Sequence, residues 1–293
     1  MKATIFTMST KRIHIITDST SDIPQELLPD LPVTVVPTFV NMDGDSVPDD
    51  YVHLDRQEFY RRLPTLRPFP STSAVSPGMT EDAINAVVDQ CDHIIFLAQS
   101  TKLGSCYTQM RVAASKLPAD KYTLIDSEQM AMGFGWQVII GAETALATGS
   151  LEATLDAMTR VRKTVRVYCA LNTLEYLQRG GRVGWAQANI GALLQIKPIL
   201  LVEDGEVKSY ARVRTFGRAI EEIVRVAHDY TPLDRLAVIY TTDVEAAHAL
   251  RDRLQDLLPP GNHTVVSRIT PSIGVHVGPG GLGIVPLSAA WKN

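Results

Sequence analysis

Four short clusters of hydroxyl-bearing residues stand where chemistry could be done. Asp18-Ser19-Thr20-Ser21, Gln99-Ser100-Thr101 and Asp126-Ser127 each follow a short apolar run rich in β-branched residues. In an open α/β sheet, ligands collect at loops beyond the carboxyl ends of strands, so each of these loops can hold a polar ligand group. Asp, Ser and Thr after a strand equally serve to cap the next helix, by accepting its free N–H groups. The fourth cluster, Ser71-Thr72-Ser73, lies between Pro70 and Pro77, whose fixed backbones stiffen what reads as a loop.

Two glycine-rich stretches add further candidates. Gly278-Pro279-Gly280-Gly281-Leu282-Gly283 has the form G-x-G-x-x-G. A dinucleotide loop of that form needs a strand before it, a helix on it and an acidic residue about 20 positions later. Nothing acidic follows Gly283. The glycines are therefore read as letting the backbone run close to a ligand or a packed helix. His276, just before them, can donate to an anion or serve structurally. Arg179-Gly180-Gly181-Arg182 is read as a turn, because each glycine inside a helix costs about 1 kcal/mol. It would present two guanidinium groups, which suit carboxylate and phosphate, or else form a solvated surface loop. There is no G-x-S-x-G elbow, Walker A loop, H-E-x-x-H helix or Cys/His zinc spacing, so no catalytic signature and no metal-ligand set is read.

Elements that alternate between strand and helix must position these residues. Arg12–Ile16, Val33–Val40, His93–Ala98 and Tyr122–Ile125 read as strands, the second interrupted by Pro37. Helices are expected at Thr80–Val88, Tyr107–Ser115 and about Gln129–Ala147. That alternation implies a mostly parallel sheet covered on both faces. Thr148-Gly149-Ser150 marks a boundary, with Ser150 placed to cap the next helix. Beyond it, strands are expected at Arg166–Leu171, Ile199–Glu203, Lys208–Val213, Leu236–Thr241, Thr264–Ile269 and Ile284–Leu287. Asp204-Gly205 makes a two-residue hairpin turn between the second and third of these. The expected organisation is an N-terminal α/β lobe over residues 11–149 and a C-terminal α/β lobe with a mixed sheet over 150–293.

Composition narrows the classes of function. The 293 residues suit two domains, and 45% hydrophobic with 20% charged residues is ordinary for a soluble globular protein. A net charge of −4, with Lys and Arg spread along the chain, argues against a nucleic-acid partner. The three cysteines, Cys91, Cys106 and Cys169, form no C-x-x-C pair, and their odd number argues against a disulfide framework. Met1–Thr10 lacks the apolar run and cleavage site of a signal peptide. The most apolar stretch, Ala131–Ala142, is too short to span a bilayer. A cytoplasmic location is expected.

Taken in order, the motifs resemble the DegV family, whose best-understood members are the fatty-acid-binding subunits of bacterial fatty acid kinase. The resemblance covers about Ile13 to Leu287. It rests on Ile16-Thr17-Asp18-Ser19-Thr20-Ser21-Asp22-Ile23-Pro24, the Thr72-Ser73 loop, Ile125-Asp126-Ser127 and Leu174-Glu175-Tyr176-Leu177-Gln178-Arg179-Gly180-Gly181-Arg182-Val183. It continues through Ile196-Lys197-Pro198-Ile199 and Arg214-Thr215 to His276-Val277-Gly278-Pro279-Gly280. What the resemblance implies is two α/β lobes with one acyl chain between them and no cofactor beyond that long-chain fatty acid. Thr72 matches the family's ligand threonine, Ser73 its neighbour and His276 the histidine near the carboxylate. Arg182 matches the arginine associated with the phosphorylated head group and the kinase, and Arg214 is a second candidate for that role. Asp18, Ser19, Ser127, Gly278 and Gly280 are expected in loops around the pocket.

This chain departs from the family's pattern in two places. Ala74-Val75 stands where Gln-Pro is common, and Leu103-Gly104-Ser105-Cys106 where the family has Leu-Ser-Gly-Thr. The family's second ligand serine thus falls on Gly104. Either Ser105 takes over its role, or a backbone N–H at this helix start binds the carboxylate. The implied partners are a long-chain fatty acid, the catalytic subunit of fatty acid kinase and a membrane touched peripherally for acyl exchange. The implied function is a carrier that presents the carboxylate for acyl phosphate formation and is not itself an enzyme. Two other readings compete. One is a serine-dependent lipid or acyl hydrolase using Ser19, Ser73 or Ser105 with His276 and an Asp. The other is a lipid-bound sensor or scaffold.

Overall fold

The structure, a computed structural model, describes residues 11–181, 196–261 and 263–293. The first half builds a four-stranded parallel sheet from β1 (Ile13–Asp18), β2 (Val33–Val36), β6 (His93–Ala98) and β7 (Tyr122–Asp126), in the order β2-β1-β6-β7. Strand β6 is buried along its whole length and alternates between two cores. Ile95 and Leu97 face one, and Ile94, Phe96 and Ala98 face the other. A parallel strand covered on both faces reads as this kind of continuous apolar run. The outer face packs against α2 (Pro77–Val87) and α3 (Cys106–Ala114).

The run Val33–Val40 does not continue as one strand. It breaks at Pro37, which lacks an N–H for the ladder, and resumes as β3 (Phe39–Met42) in a second sheet. There β3 pairs antiparallel with β4 (Asp45–Pro48) and with β5 (Ser71–Ser73), so the hydroxyl cluster read as a loop is a strand. Its three polar residues carry no alternating pattern. Only pairing with β3, at Val40 opposite Thr72, reveals it.

Helix α4 (Met132–Thr148) is the centre of the molecule, with every residue from Ala131 to Ala142 buried. It packs between Ile13 and Ile15 of the parallel sheet and Ala237, Val285 and Leu287 of a second large sheet. A helix that is apolar all round suits such a position. It begins three residues later than expected because residues 127–131 turn sharply. The Ser127 hydroxyl accepts from Gln129 N at 3.2 Å, and Glu128 and Ala131 both have φ of 51°. Gly149 caps α4 in the left-handed region. Ser150 Oγ accepts from Ala153 N at 3.2 Å to open α5 (Leu151–Thr164), as its position suggested.

The second half forms a six-stranded mixed sheet from β8 (Val167–Ala170), β9 (Lys197–Glu203), β10 (Glu206–Val213), β11 (Leu233–Tyr240), β12 (Thr264–Arg268) and β13 (Leu282–Ser288). The order is β10-β9-β8-β13-β11-β12, and only β11 and β12 run parallel. Asp204 and Gly205 both have positive φ, the geometry of a tight hairpin between β9 and β10. The outer face packs against α7 (Phe216–His228) and α8 (Val244–Arg253). Three short helices, α1 (Arg56–Arg62), α6 (Glu175–Gly180) and α9 (Pro271–Val277), gather around the small sheet. Phe59, Tyr60, Leu63, Tyr176 and Val275 form their common core. No described helix is long and apolar enough to cross a membrane.

Candidate functional site

A cavity of about 450 Å³ lies where the small sheet, the loops after β1 and β6, and helix α9 meet the strands β8, β9 and β10. That is within the usual size of a small-molecule site. The wall from the six-stranded sheet is apolar. Val167 and Cys169 of β8 pair in register with Val202 and Leu200 of β9, and Val207 of β10 lies opposite Val202. Burial pushes the Cys169 thiol up to about 12, so it meets the cavity as a neutral, small apolar group.

The opposite side is polar and comes mostly from the first half of the chain. Thr72 and Ser73 reach it from β5, and Gly104 and Ser105 from the turn into α3. His276 reaches it from the last turn of α9. These five are the residues singled out as ligand-binding from the sequence, and one cavity contains them all. Asn41 Nδ2 holds β5 in place by donating to Ser71 Oγ at 3.2 Å and Ser73 Oγ at 2.9 Å. The Thr72 hydroxyl takes part in no side-chain hydrogen bond among the described residues. Ser105 begins α3 without its hydroxyl capping the helix.

Two lining residues, Thr38 and Ser272, went unnoticed in the sequence. Thr38 Oγ1 bonds both Ser19 Oγ and Ser272 Oγ at 2.8 Å, and Ser19 Oγ accepts from Thr38 N at 3.0 Å. Thr38 and Ser272 line the cavity, and Ser19 braces them from behind. Gln99, from one of the polar clusters singled out in the sequence, also lines the cavity and stands beside Gly104. Thr38 sits after Pro37 and Ser272 after Pro271, where proline marks a bend. Nothing local shows that residues 234 positions apart share a bond.

The residues expected in surrounding loops hold the site up and do not line it. Asp18 accepts from Thr20 N and Gln99 N, both at 3.0 Å, and from the Thr20 hydroxyl. Burial raises its carboxyl to about 6 in spite of those bonds. Ser127 forms the turn before α4. A Cβ on Gly278 would fall 2.2 Å from Tyr176, and one on Gly280 1.9 Å from Asn172 Nδ2. These glycines admit a packed helix and a neighbouring side chain. Arg179 pairs with Glu175 and lies over the Phe69 ring. Gly181, not an open turn, ends α6 with φ of 65°. Gly180 is explained by His276, because a Cβ there would sit 1.9 Å from Nδ1. Arg214 is exposed between β10 and α7, away from the cavity lining. Arg182 lies outside the described residues.

Helix α9 is fixed from the other half of the chain. Thr270 N donates to Asp22 Oδ1 at 2.8 Å and Ser272 N to Asp49 Oδ2 at 2.6 Å. Ser267 Oγ donates to the Asp22 carbonyl at 2.8 Å, Arg56 to the Arg268 carbonyl at 3.0 Å, and Tyr60 to the Ile269 carbonyl at 2.9 Å. Burial raises both carboxyls, that of Asp22 to about 7, while the Arg56 guanidinium between them pulls the other way.

Fold and site together define a three-sheet α/β protein with an internal cavity, apolar on one wall and hydroxyl-rich on the other. Residues 12–288 match the model of the DegV family, which is described as one of uncharacterised proteins. A DegV domain-containing protein of Streptomyces coelicolor is 32% identical over 94% of this chain and 98% of its own length. A solved DegV family protein from Thermus thermophilus, described as fatty-acid binding, is 33% identical. It superposes with a TM-score of 0.86 over 94% of this chain and 99% of its own. DegV of Bacillus subtilis, described as a fatty acid binding protein, is 28% identical with a TM-score of 0.83, covering 95% of this chain and 99% of its own. The chain belongs to the DegV family.

Proposed function

We propose that this protein binds one long-chain fatty acid in the cavity between its two halves and presents the carboxylate to a separate fatty acid kinase for acyl phosphate formation. The observation that carries this is the two-sided cavity: an apolar wall from β8, β9 and β10 faces Thr72, Ser73, Thr38, Ser272 and His276. Relatives of the same fold described as fatty-acid binding support it. Each buried methylene contributes about 0.8 kcal/mol, so roughly 14 of them give a gross drive on the order of 11 kcal/mol before ordering costs. The hydroxyls need only offset the desolvation of the carboxylate. The chain is then a carrier with lobes divided near residues 149 and 150, working in the cytoplasm. The role of Arg182 and Arg214 toward the phosphorylated head group and the kinase belongs to the same proposal.

The hydrolase alternative loses ground at two of its three serines, which are engaged elsewhere. Ser19 bonds Thr38, and Ser73 accepts from Asn41. The test is extraction and native mass spectrometry of the purified protein. One acyl species at near-stoichiometric occupancy is expected, and it should become an acyl phosphate on addition of a cognate kinase with ATP. Protein that emerges empty and takes up no added fatty acid refutes the binding reading. A bound acid that the kinase leaves unchanged refutes the presentation step alone.

A further inference from the structure

Gln99 leaves β6 with its backbone N–H held on Asp18 Oδ2 at 3.0 Å, and its side chain enters the cavity beside Gly104. The backbone of Gly104 is not in the left-handed region, so its conformation does not demand glycine. Space demands it. A Cβ at position 104 would lie 2.4 Å from Gln99 Nε2 and 3.0 Å from Cδ. The carboxamide of Gln99 therefore occupies the volume that a side chain at 104 would take. Among the described residues this carboxamide makes one hydrogen bond, from Nε2 to Cys106 Sγ at 3.2 Å. A thiol is a weak acceptor, and burial keeps this one protonated. The amide thus keeps donor capacity, in a cavity whose polar side also holds Thr72 and His276.

We infer that Gln99 is a further head-group residue, whose carboxamide N–H donates to the carboxylate of the bound acid, and that Gly104 seats it. The donor that the family's serine would supply from position 104 is supplied here from position 99. This rests on the fatty-acid reading and names a residue that sets its preference for an acid over a neutral head group. Ser105, the other substitute considered, lines the same cavity from the first position of the turn into α3.

The test compares dissociation constants of delipidated full-length protein for a long-chain fatty acid and for the alcohol of the same chain. Gln99→Ala should reduce the acid-over-alcohol preference by about tenfold or more, the effect of losing one hydrogen bond to a charged group. Gly104→Ala should do the same, because the new methyl displaces the flexible carboxamide. The double variant should lose no more than either single one. Gln99→Glu, which sets two carboxylates against each other, should weaken the acid further and leave the alcohol unaffected. Should Gly104→Ala fail to fold, Gln99→Ala and Gln99→Glu still decide the matter. A preference retained in Gln99→Ala, or losses that add in the double variant, overturns this inference alone. Wild-type protein that binds neither probe overturns the fatty-acid reading and this inference with it.

Discussion

Replacing Gly180 by alanine separates the role of this glycine in the helix from its role at the cavity. Gly180 is the last residue of α6 and has no left-handed strain, so helix propensity alone favours alanine by about 0.5–1 kcal/mol. The cavity side says the opposite. The added Cβ would stand 1.9 Å from His276 Nδ1 and 2.8 Å from Cε1. Non-bonded heavy atoms rest at about 3.5 Å or more, so the imidazole must retreat by roughly 1.5 Å. It has little freedom to do so, because α9 is anchored at Thr270 and Ser272 and its Val275 is buried. Overpacking of this kind costs about 1–3 kcal/mol, which leaves a net loss of about 0–2.5 kcal/mol after the helix gain. Binding should suffer more. If His276 donates to the carboxylate as proposed, a bond worth about 1.5–3 kcal/mol is lost and the acid should bind roughly 10- to 150-fold more weakly. The matching alcohol should be much less affected. Calorimetric titration with both ligands and a thermal melt are the assay. A variant that melts higher and holds the acid within about twofold of wild type refutes the placement of His276 at the head group.

Two other outcomes follow from the geometry. Thr72→Val keeps the shape of a half-buried strand residue whose hydroxyl has no side-chain partner among the described residues. Stability should stay within about 0.5 kcal/mol while acid affinity falls about tenfold relative to alcohol, and equal losses for both ligands would show that the hydroxyl does not touch the carboxylate. Asp22 concerns pH. Burial lifts its carboxyl from 3.8 to about 7, so the folded protein holds this proton more tightly than the unfolded chain does. Stability from this group is therefore greatest below the lower value and declines as pH rises to the upper one. Asp22→Asn, which keeps an oxygen for Thr270 N, should flatten that decline. Urea midpoints at about pH 5 and about pH 8 measure it, and a slope equal to that of wild type removes Asp22 from the account.

The seam that Asp22 belongs to has a consequence for the cavity. Asp22, Asp49, Arg56 and Tyr60 all come from the first half of the chain, and all grip residues 267–272 of the second. Buried ionic groups contribute little net stability, since desolvation offsets much of their attraction. They do restrict alternatives, because any other docking leaves a carboxylate or guanidinium unpaired in a dry interior. What this seam restricts is the orientation of α9, and with it where Ser272 and His276 face. The hydroxyl chain Ser19–Thr38–Ser272 depends on that orientation, with members from both halves. An apolar cavity wall can tolerate small shifts. A polar side built from hydroxyls of both halves cannot, and the contacts of the seam fall on that side.

The features legible in the sequence are those set by neighbours along the chain. Ser150 caps α5 and Asp204-Gly205 turns the hairpin because capping and turn chemistry act over two or three residues. The strand His93–Ala98 is apolar throughout because both faces are covered. Ser71–Ser73, by contrast, has no strand pattern, and its pairing to β3 crosses about 30 residues. The glycines show the same divide more sharply. In the sequence Gly180 reads as part of a turn, Gly278 as a close approach to the backbone and Gly104 as a missing serine, and in the structure a side chain stands close to each. The neighbours proved to be His276, Tyr176 and Gln99, all side chains of this chain. Two of those neighbours lie about a hundred positions away, and no local rule connects them. Gln99 lies only five residues before Gly104, within reach of a local argument. A glycine where a ligand serine is expected need not mean a lost donor; it can mean that another donor has taken its volume. That is why the carboxamide, rather than the hydroxyl at 105, is the group to remove first.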